Sequence, residues 1–410
     1  MKALLVTCAL AVTLGTGSTV TAQSYPPNGS TIPTVTLNGS PAIQQPAPNS
    51  ARQQSAWNTE LAGHSDLQGR SAYQPIIINE NGREIAYVGH HTGKMPNPLT
   101  GVVEGNGTSI VDVTDPAKPV YIRDFGLLGQ QPGATSFLGV QAGIPIHGPI
   151  SAGVAKNRVY AAYGTGANGV VQILDRNKLL TAFTNALKPT TEEMLAPQVG
   201  TIVMSPDQGA HTAMPMYGVP IPGFQGHSVL KTRDLLVVAS EQGRGEHCRP
   251  GPGANRPAPH FGFLLDITNE PTPWPLATFH VPENPGDFCG RGGRFGNHAG
   301  TESFYPPYYG KLAIFSWFNA GTRVFDIRNP FSVQEVAYFI PAPNKNTMAF
   351  CADGVSHPDG DPKITPACTK VIQTNNVEVD DRGLIYSADR AGTGLHIIRL
   401  TGRAARISAK

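Results

Sequence analysis

The sequence predicts an all-β protein, a β-propeller of five four-stranded blades, on three observations. Short strand-and-turn units follow one another with almost no helical periodicity. One phrase, an apolar run closed by aspartate, recurs at residues 109–113, 170–175, 262–267 and 323–327, with an aspartate-free fifth copy at 395–398. The chain also carries 46 Gly and 37 Pro in 410 residues and only 15% charged residues, a loop-rich β composition. Repeats of antiparallel strands in series suggest blades packed face to face around an axis. Burial of both faces accounts for runs such as Leu235-Leu236-Val237-Val238-Ala239, where strict alternation fails.

The units read in order. The first has strands at 73–79, 84–89, 109–113 and 120–125. The second has 147–154, 158–163, 170–174 and 200–204. The third has 227–231, 235–240, 261–267 and 275–281. The fourth has 298–304, 312–317, 322–327 and 335–340. The fifth has only 376–380, 384–387 and 395–400, so an outer strand is missing, and residues 31–38 are the candidate to supply it. The insertion at 178–226 leaves room for a sixth or seventh blade, and a chain of β-sandwiches is the competing architecture.

Residues 1–22 read as a signal peptide: Lys2, an apolar stretch over 3–14 too short to span a bilayer, and a small-residue cleavage site at Val20-Thr21-Ala22. Residues 23–58, rich in Ser, Thr, Asn, Gln and Pro, read as an extended arm. The propeller is assigned to 59–402 and a tail to 403–410. The expected location is periplasmic or secreted. Beyond the leader four cysteines remain, which in an oxidising compartment pair by proximity as Cys248–Cys289 and Cys351–Cys368. A thiolate metal site is the rival, but the spacings fit no zinc pattern. With a net charge of +2 and no charged block, nothing points to nucleic acid, and no membrane span is expected.

After the phrase come Asp112-Val113-Thr114-Asp115-Pro116, Asp266-Ile267-Thr268-Asn269-Glu270-Pro271 and Asp326-Ile327-Arg328-Asn329-Pro330. These are turns: the acid or amide accepts from backbone donors and proline stops the ladder. With Gly292-Gly293-Arg294-Phe295-Gly296-Asn297-His298 and residues 318–327, they resemble the LVIVD repeat family over roughly residues 60–400. The resemblance implies a propeller in exported proteins and carries no catalytic residues with it.

In a propeller, the starts of first strands and the ends of second strands converge on one mouth. The starts are His147, His227, His298 and Asn376, and the ends are His90 with His91, Tyr163, Glu241, Asn319 and Asp389. His211 lies in the insertion that feeds the third unit. Converging neutral imidazoles suit a divalent zinc, copper, iron or nickel ion, so His147, His227 and His298 are the expected ligands, with His91 and His211 as further ones. Glu241 and Asp389 are candidate general bases. Arg294, Asn376, Asn319 and His90 are candidate substrate contacts, and the glycine-rich run with Arg291 is a candidate anion nest. The remaining histidines, His64, His247, His260, His280, His357 and His396, read as surface or loop residues.

No Gly-x-Ser-x-Gly elbow, His-Glu-x-x-His helix or phosphate loop occurs, which disfavours serine hydrolysis and nucleotide chemistry. The function expected is a metal-dependent oxidoreductase or hydrolase acting on a small organic substrate. The alternative is a non-catalytic binding or adhesion scaffold whose partner is a protein or a surface. Repeated histidines that only bond neighbouring carbonyls would fit that alternative.

Overall fold

Five runs that carry the repeated phrase become the third strands of five antiparallel sheets, each with four regular strands, once the irregular run 298–301 is counted as first in sheet IV. Sheet I has Ala72–Glu80, Arg83–His90, Thr108–Asp112 and Val120–Phe125. Sheet II has Ile146–His147, Arg158–Tyr163, Val170–Asp175 and Gln198–Val203. Sheet III has Thr212–Pro220, Thr232–Ala239, Gly262–Asp266 and Trp274–Phe279. Sheet IV has Leu312–Ser316, Thr322–Asp326, Gln334–Ile340 and, from the start of the chain, Ser55–Trp57. Sheet V has Thr374–Val379, Ile385–Asp389, Gly394–Leu400 and Thr59–Ser65.

This is a computed structural model, which describes residues 53–91, 94–96, 101–105, 107–125, 146–147, 157–164, 169–182, 190–205, 208–224, 231–241, 248, 260–282 and 286–409, all within the compact unit Ile43–Lys410. The leader and residues 31–38 lie outside them.

The sheets share one irregularity. Where the fourth strand faces the third, one residue is skipped: Ile110 pairs with Arg123 but Val111 with Tyr121, and Leu264 with Ala277 but Leu265 with Pro275. The same step separates Ile173–Gly200 from Leu174–Gln198, Val324–Ala337 from Phe325–Glu335, and Ile397–Gly63 from Ile398–Leu61. A bulge bends and twists its strand locally, so a conserved position for it gives five sheets one shape. By this register, Thr59–Ser65 is the proper outer strand of sheet V. The outer strand was expected from 31–38; the described partner comes from the segment just before sheet I. In sheet IV, residues 298–301 form an irregular innermost strand: His298 N donates to Ser316 O at 3.1 Å, Ser316 N to Ala299 O at 2.8 Å, and Thr301 N to Ile314 O at 2.9 Å.

The phrase-closing aspartates make the expected turns. Asp112, Asp266 and Asp326 each accept from the backbone N–H two residues on, at 2.9, 2.8 and 3.1 Å. The next apolar residue returns to the sheet, with Val113 N, Ile267 N and Ile327 N donating to Glu84 O, Asp234 O and Lys311 O at 2.8, 2.8 and 2.9 Å.

Sheets III, IV and V are packed on both faces, and this is why Leu235–Ala239 does not alternate. Leu235, Val237 and Ala239 pack with Phe279, Phe315 and Phe325 between sheets III and IV, whereas Leu236 and Val238 pack with Tyr160 and Ile173 between sheets II and III. Further apolar seams join sheet IV to V through Ile314, Val324, Ile385 and Ile398, and sheet V to I through Tyr386, Ile397, Ala86 and Val111. Glycine allows two of these contacts. A Cβ at Gly200 would sit 1.8 Å from Glu270 O in the turn of sheet III, and one at Gly63 would sit 1.6 Å from Pro116 O in the turn of sheet I. The same device therefore seats sheet III on sheet II and sheet I on sheet V.

The 178–226 insertion supplies the outer strand of sheet II and the inner strand of sheet III, and among the described residues it builds no further sheet. Both expected disulfides are present, Cys248–Cys289 and Cys351–Cys368. The segment read as a tail forms a helix, Gly402–Ser408, whose Ala404 and Ile407 pack on sheets IV and V.

Phe315 is fully buried against Phe279 at 4.9 Å between ring centroids. Phe315→Ala should lower unfolding free energy by about 3–5 kcal/mol, read as a fall in the urea midpoint at unchanged m-value. A loss below about 1 kcal/mol would mean that this seam is not tightly packed.

Candidate metal centre

Two imidazoles reach one point because two inner strands begin alike. His211 N donates to Ala239 O at 2.9 Å, as His298 N does to Ser316 O at 3.1 Å. Each residue thus precedes the first paired residue of its strand, and their rings lie 4.5 Å apart. Glu241 follows the second strand of sheet III by two residues. Its carboxylate lies 3.9 Å from His211 Nε2 and 3.6 Å from His298 Nε2. One ligand atom from each of the three residues falls within 4.8 Å of the others.

The backbone before Glu241 is pinned, since Ser240 N donates to Asn297 Oδ1 at 2.8 Å and Ser240 Oγ to Gln208 Oε1 at 3.2 Å. His298 Nδ1 faces Asn375 O, which can only accept, so Nδ1 carries the hydrogen. The Nε2 lone pair is left pointing toward Glu241 and His211. His298 is buried at 1% exposure, and burial first, then His211 and Arg390, hold its pKa well below the ordinary value. It is therefore neutral at physiological pH, as a metal ligand must be. His211 is 6% exposed and its Nδ1 lies 3.0 Å from Thr212 Oγ1, which leaves Nε2 on the side of Glu241.

Arg294 joins the group, with Nη1 at 3.5 Å from Glu241 Oε1 and Nη2 donating to Gly354 O at 3.2 Å. His91 lies in the same field: burial first, then Arg390 and also His298, drive its pKa well below the usual value, while Asn375 and Glu241 oppose the shift. Tyr73 packs edge-on against His91 at 4.9 Å, and burial followed by the charge of Glu241 pushes its phenol up to about 12.

Several expected residues stand elsewhere. His227 lies outside the described residues, and the inner strand of sheet III starts at Thr212, so His211 holds the repeat position assigned to His227. His147 pairs with Tyr160, three residues before the strand end at Tyr163, which sets its backbone further along its strand than His211 is on its own. Its side chain is outside the described residues.

Other side chains are spent on structure. His90 is enclosed, with Nε2 at 2.7 Å from Ser109 Oγ, and burial followed by the charge of Arg70 brings its pKa to about 3. Asn319 Nδ2 donates to Phe288 O and Gly292 O, both at 2.8 Å, and so holds the glycine-rich loop. Asn376 Nδ2 donates to Gln74 Oε1. Asp389 accepts from Gln373 N at 2.6 Å and Ala391 N at 2.8 Å, and burial raises it to about 6. Every one of these four therefore braces a strand end or a loop.

The glycine-rich run is a fixed loop, tied by Cys248–Cys289 and by Cys248 N donating to Gly293 O at 2.9 Å. Arg291 turns inward over the Phe288 ring at 4.8 Å, so the run makes no anion nest with it. Of the histidines read as surface residues, His260, His357 and His396 are buried at 1%, 4% and 5% exposure.

The sequence reading missed Asn375, Phe318, Arg390 and Tyr73. Asn375 lies one residue from Asn376, and only the strand register would have separated them. Phe318 matches Glu241 in repeat position, two residues past Ser316 as Glu241 is past Ala239. That correspondence was the available signal.

The donor set, two imidazoles and one carboxylate, is one that can hold a divalent transition ion with positions left open. Zinc-like bonds of about 2.0–2.1 Å place ligand atoms roughly 3–3.5 Å apart, slightly closer than these.

No family model matches the chain, and no curated protein matches it. Solved structures give weak likenesses. Raptor from Chaetomium thermophilum is 11% identical over 81% of this chain and 24% of that chain, with a TM-score of 0.32, so this chain spans about a quarter of it. A glycosyl hydrolase from Bacteroides ovatus is 10% identical over 82% and 85%, TM-score 0.29. An auxiliary nutrient binding protein from Bacteroides thetaiotaomicron is 11% identical over 85% and 78%, TM-score 0.25. Scores this low carry no argument about this chain.

The buried titrating groups set a pH profile. His90 and His396, each at about 3, and His91 and His298, also lowered, bind protons in the unfolded chain before the folded one. Their stabilisation is present above about pH 6.5 and is lost as pH falls, by about 1.4 kcal/mol per pH unit for each titrating group. Asp389 at about 6 and Glu378 at about 8 act oppositely, their contribution fading as pH rises from about 4 through those values. Chelator-treated protein should therefore lose urea resistance from pH 6.5 downward, more steeply below about pH 4.5. A flat profile from pH 6.5 to 4 would contradict the neutral buried histidines.

Proposed function

We propose that this chain is an exported, metal-dependent enzyme built as a five-bladed β-propeller of the LVIVD repeat type, with its reactive centre at His211, Glu241 and His298. Support for the propeller comes from five sheets with one shared bulge and from the seating of sheet I on sheet V by the device that seats III on II. Support for the repeat type comes from the aspartate-closed phrase, which falls on the third strand in four consecutive sheets, with its aspartate-free copy on that of the fifth. Export, to the periplasm or outside the cell, is supported by the leader-like start and two disulfides. No helix among the described residues is long and apolar enough to cross a membrane.

The observation that carries the enzymatic reading is the pairing of a fixed tautomer with a carboxylate. Asn375 O orients His298 so that Nε2 faces Glu241, and His211 closes the third side. A bound zinc, iron, copper or nickel ion would supply Lewis acidity and an activated water, or redox chemistry if the metal is redox-active. Glu241 has two oxygens. One can ligate while the other accepts a proton from an incoming water or substrate. Arg294, 3.5 Å from Glu241 Oε1, limits the rotation of the carboxylate. The substrate is a small organic molecule, and hydrolysis and oxidation are separated by which metal is present.

Elemental analysis of purified protein should give about one equivalent of a transition metal, falling at least tenfold in the His211→Ala/His298→Ala double variant with its circular dichroism retained. Restoring the ion to the wild type at about 100 times its Kd should add about 2.7 kcal/mol of stability. Near-zero metal in both proteins, with no thermal response to added ion, would remove the enzymatic reading and leave a binding scaffold.

A further inference from the structure

We propose that the mouth above this centre recognises small organic carboxylates, with Arg294 and Arg390 as the pair that receives the carboxylate. The proposal extends the metal-centre reading to a substrate class, but the guanidinium pair can be tested apart from the metal.

Phe318 organises this layer. Its side chain is completely buried, and its backbone has φ 33°, a left-handed conformation that a bulky side chain rarely adopts. The strain is held by pairing: Thr374 N donates to Phe318 O at 3.0 Å, and Gly321 N donates to it at 3.2 Å. Such strain persists only where surrounding contacts overrule it, and it concentrates at functional sites. Here it places one aromatic ring among three nitrogen-bearing side chains. Arg294 Cζ lies 5.5 Å from the ring centroid, Arg390 Cζ 5.4 Å, and the His298 ring 4.9 Å. Both guanidiniums are within cation–π range of the same ring, and contact with it favours a defined orientation.

His211, His298 and Phe318 are buried, while Arg294, Arg390 and Glu241 are half-buried, so the guanidiniums are the more exposed cationic groups beside the imidazoles. A planar fork of donors matches a carboxylate in geometry as well as charge. Glu241 beside Arg294 shows that a carboxylate is already accepted there. The rest of such a substrate would then face Glu241 and the imidazoles.

The test uses the full-length protein, with and without prior chelation, in titration calorimetry with acetate, succinate and benzoate against acetamide, succinamide and benzamide. The acids should bind and the amides should not. Arg390→Gln and Arg294→Gln should each weaken acid binding about tenfold or more with circular dichroism unchanged, and Arg390→Gln should also leave metal content unchanged. Arg390→Lys should recover part of the loss. Acid binding that persists after chelation and is still lost in the arginine variants supports the proposal even if the metal reading fails. Binding lost on chelation but insensitive to both substitutions would overturn it while leaving the metal reading intact. Equal binding of acids and amides, or no binding of any acid, would also overturn it.

Discussion

A single carbonyl governs the centre. Asn375 O, at the start of the inner strand of sheet V, accepts from His298 Nδ1 and from Ser316 Oγ, both in sheet IV. The first bond decides which nitrogen of His298 is basic, and the second ties that choice to the neighbouring strand. Asn375 also donates through Nδ2 to Tyr73 O in sheet I at 3.3 Å, so one residue links three sheets near the site. If this carbonyl turned away, His298 could flip or change tautomer, and the lone pair facing Glu241 would be lost. Orientation of a ligand histidine through its second nitrogen is the common way in which a protein fixes such a site.

Around that point, support comes in layers. Gln373 accepts through Oε1 from Arg294 N at 3.0 Å, and its own N–H donates to Asp389 at 2.6 Å. Asp389 therefore acts on the centre at a distance, by fixing the residue that fixes Arg294. Asn319 does similar work on the loop over 288–294, whose other anchor is the Cys248–Cys289 bond. These polar residues looked like site residues in the sequence because they lie at strand ends. Strand ends leave backbone donors without ladder partners, and a buried carboxylate or amide is an economical way to satisfy them.

The repeat made much of the sheet architecture legible. Aspartate-closed phrases fell on third strands because an apolar run buried on both faces, followed by an Asx turn, is a strong local pattern. His298 was legible for the same reason, since Gly296-Asn297-His298 opens a unit whose later strands are plain. His211 was only half legible. Its strand, Thr212–Pro220, contains Pro215, Gly218 and Pro220, residues that weaken any strand signal, so the inner strand was placed at 227–231 and His227 was given the role. Arg390 and Phe318 carried no signal of their own: an arginine after a strand reads as a solvated end, and a phenylalanine reads as core. Only the pairing of sheets IV and V brings the two within 5.4 Å.

The most direct measurement is X-ray absorption at the edge of whichever transition metal copurifies with the protein. Two imidazole nitrogens and a carboxylate oxygen at about 2.0–2.2 Å are predicted, with one imidazole lost in His298→Ala. A sulfur-dominated shell, a shell without imidazole, or a spectrum unchanged by that substitution would contradict the assignment.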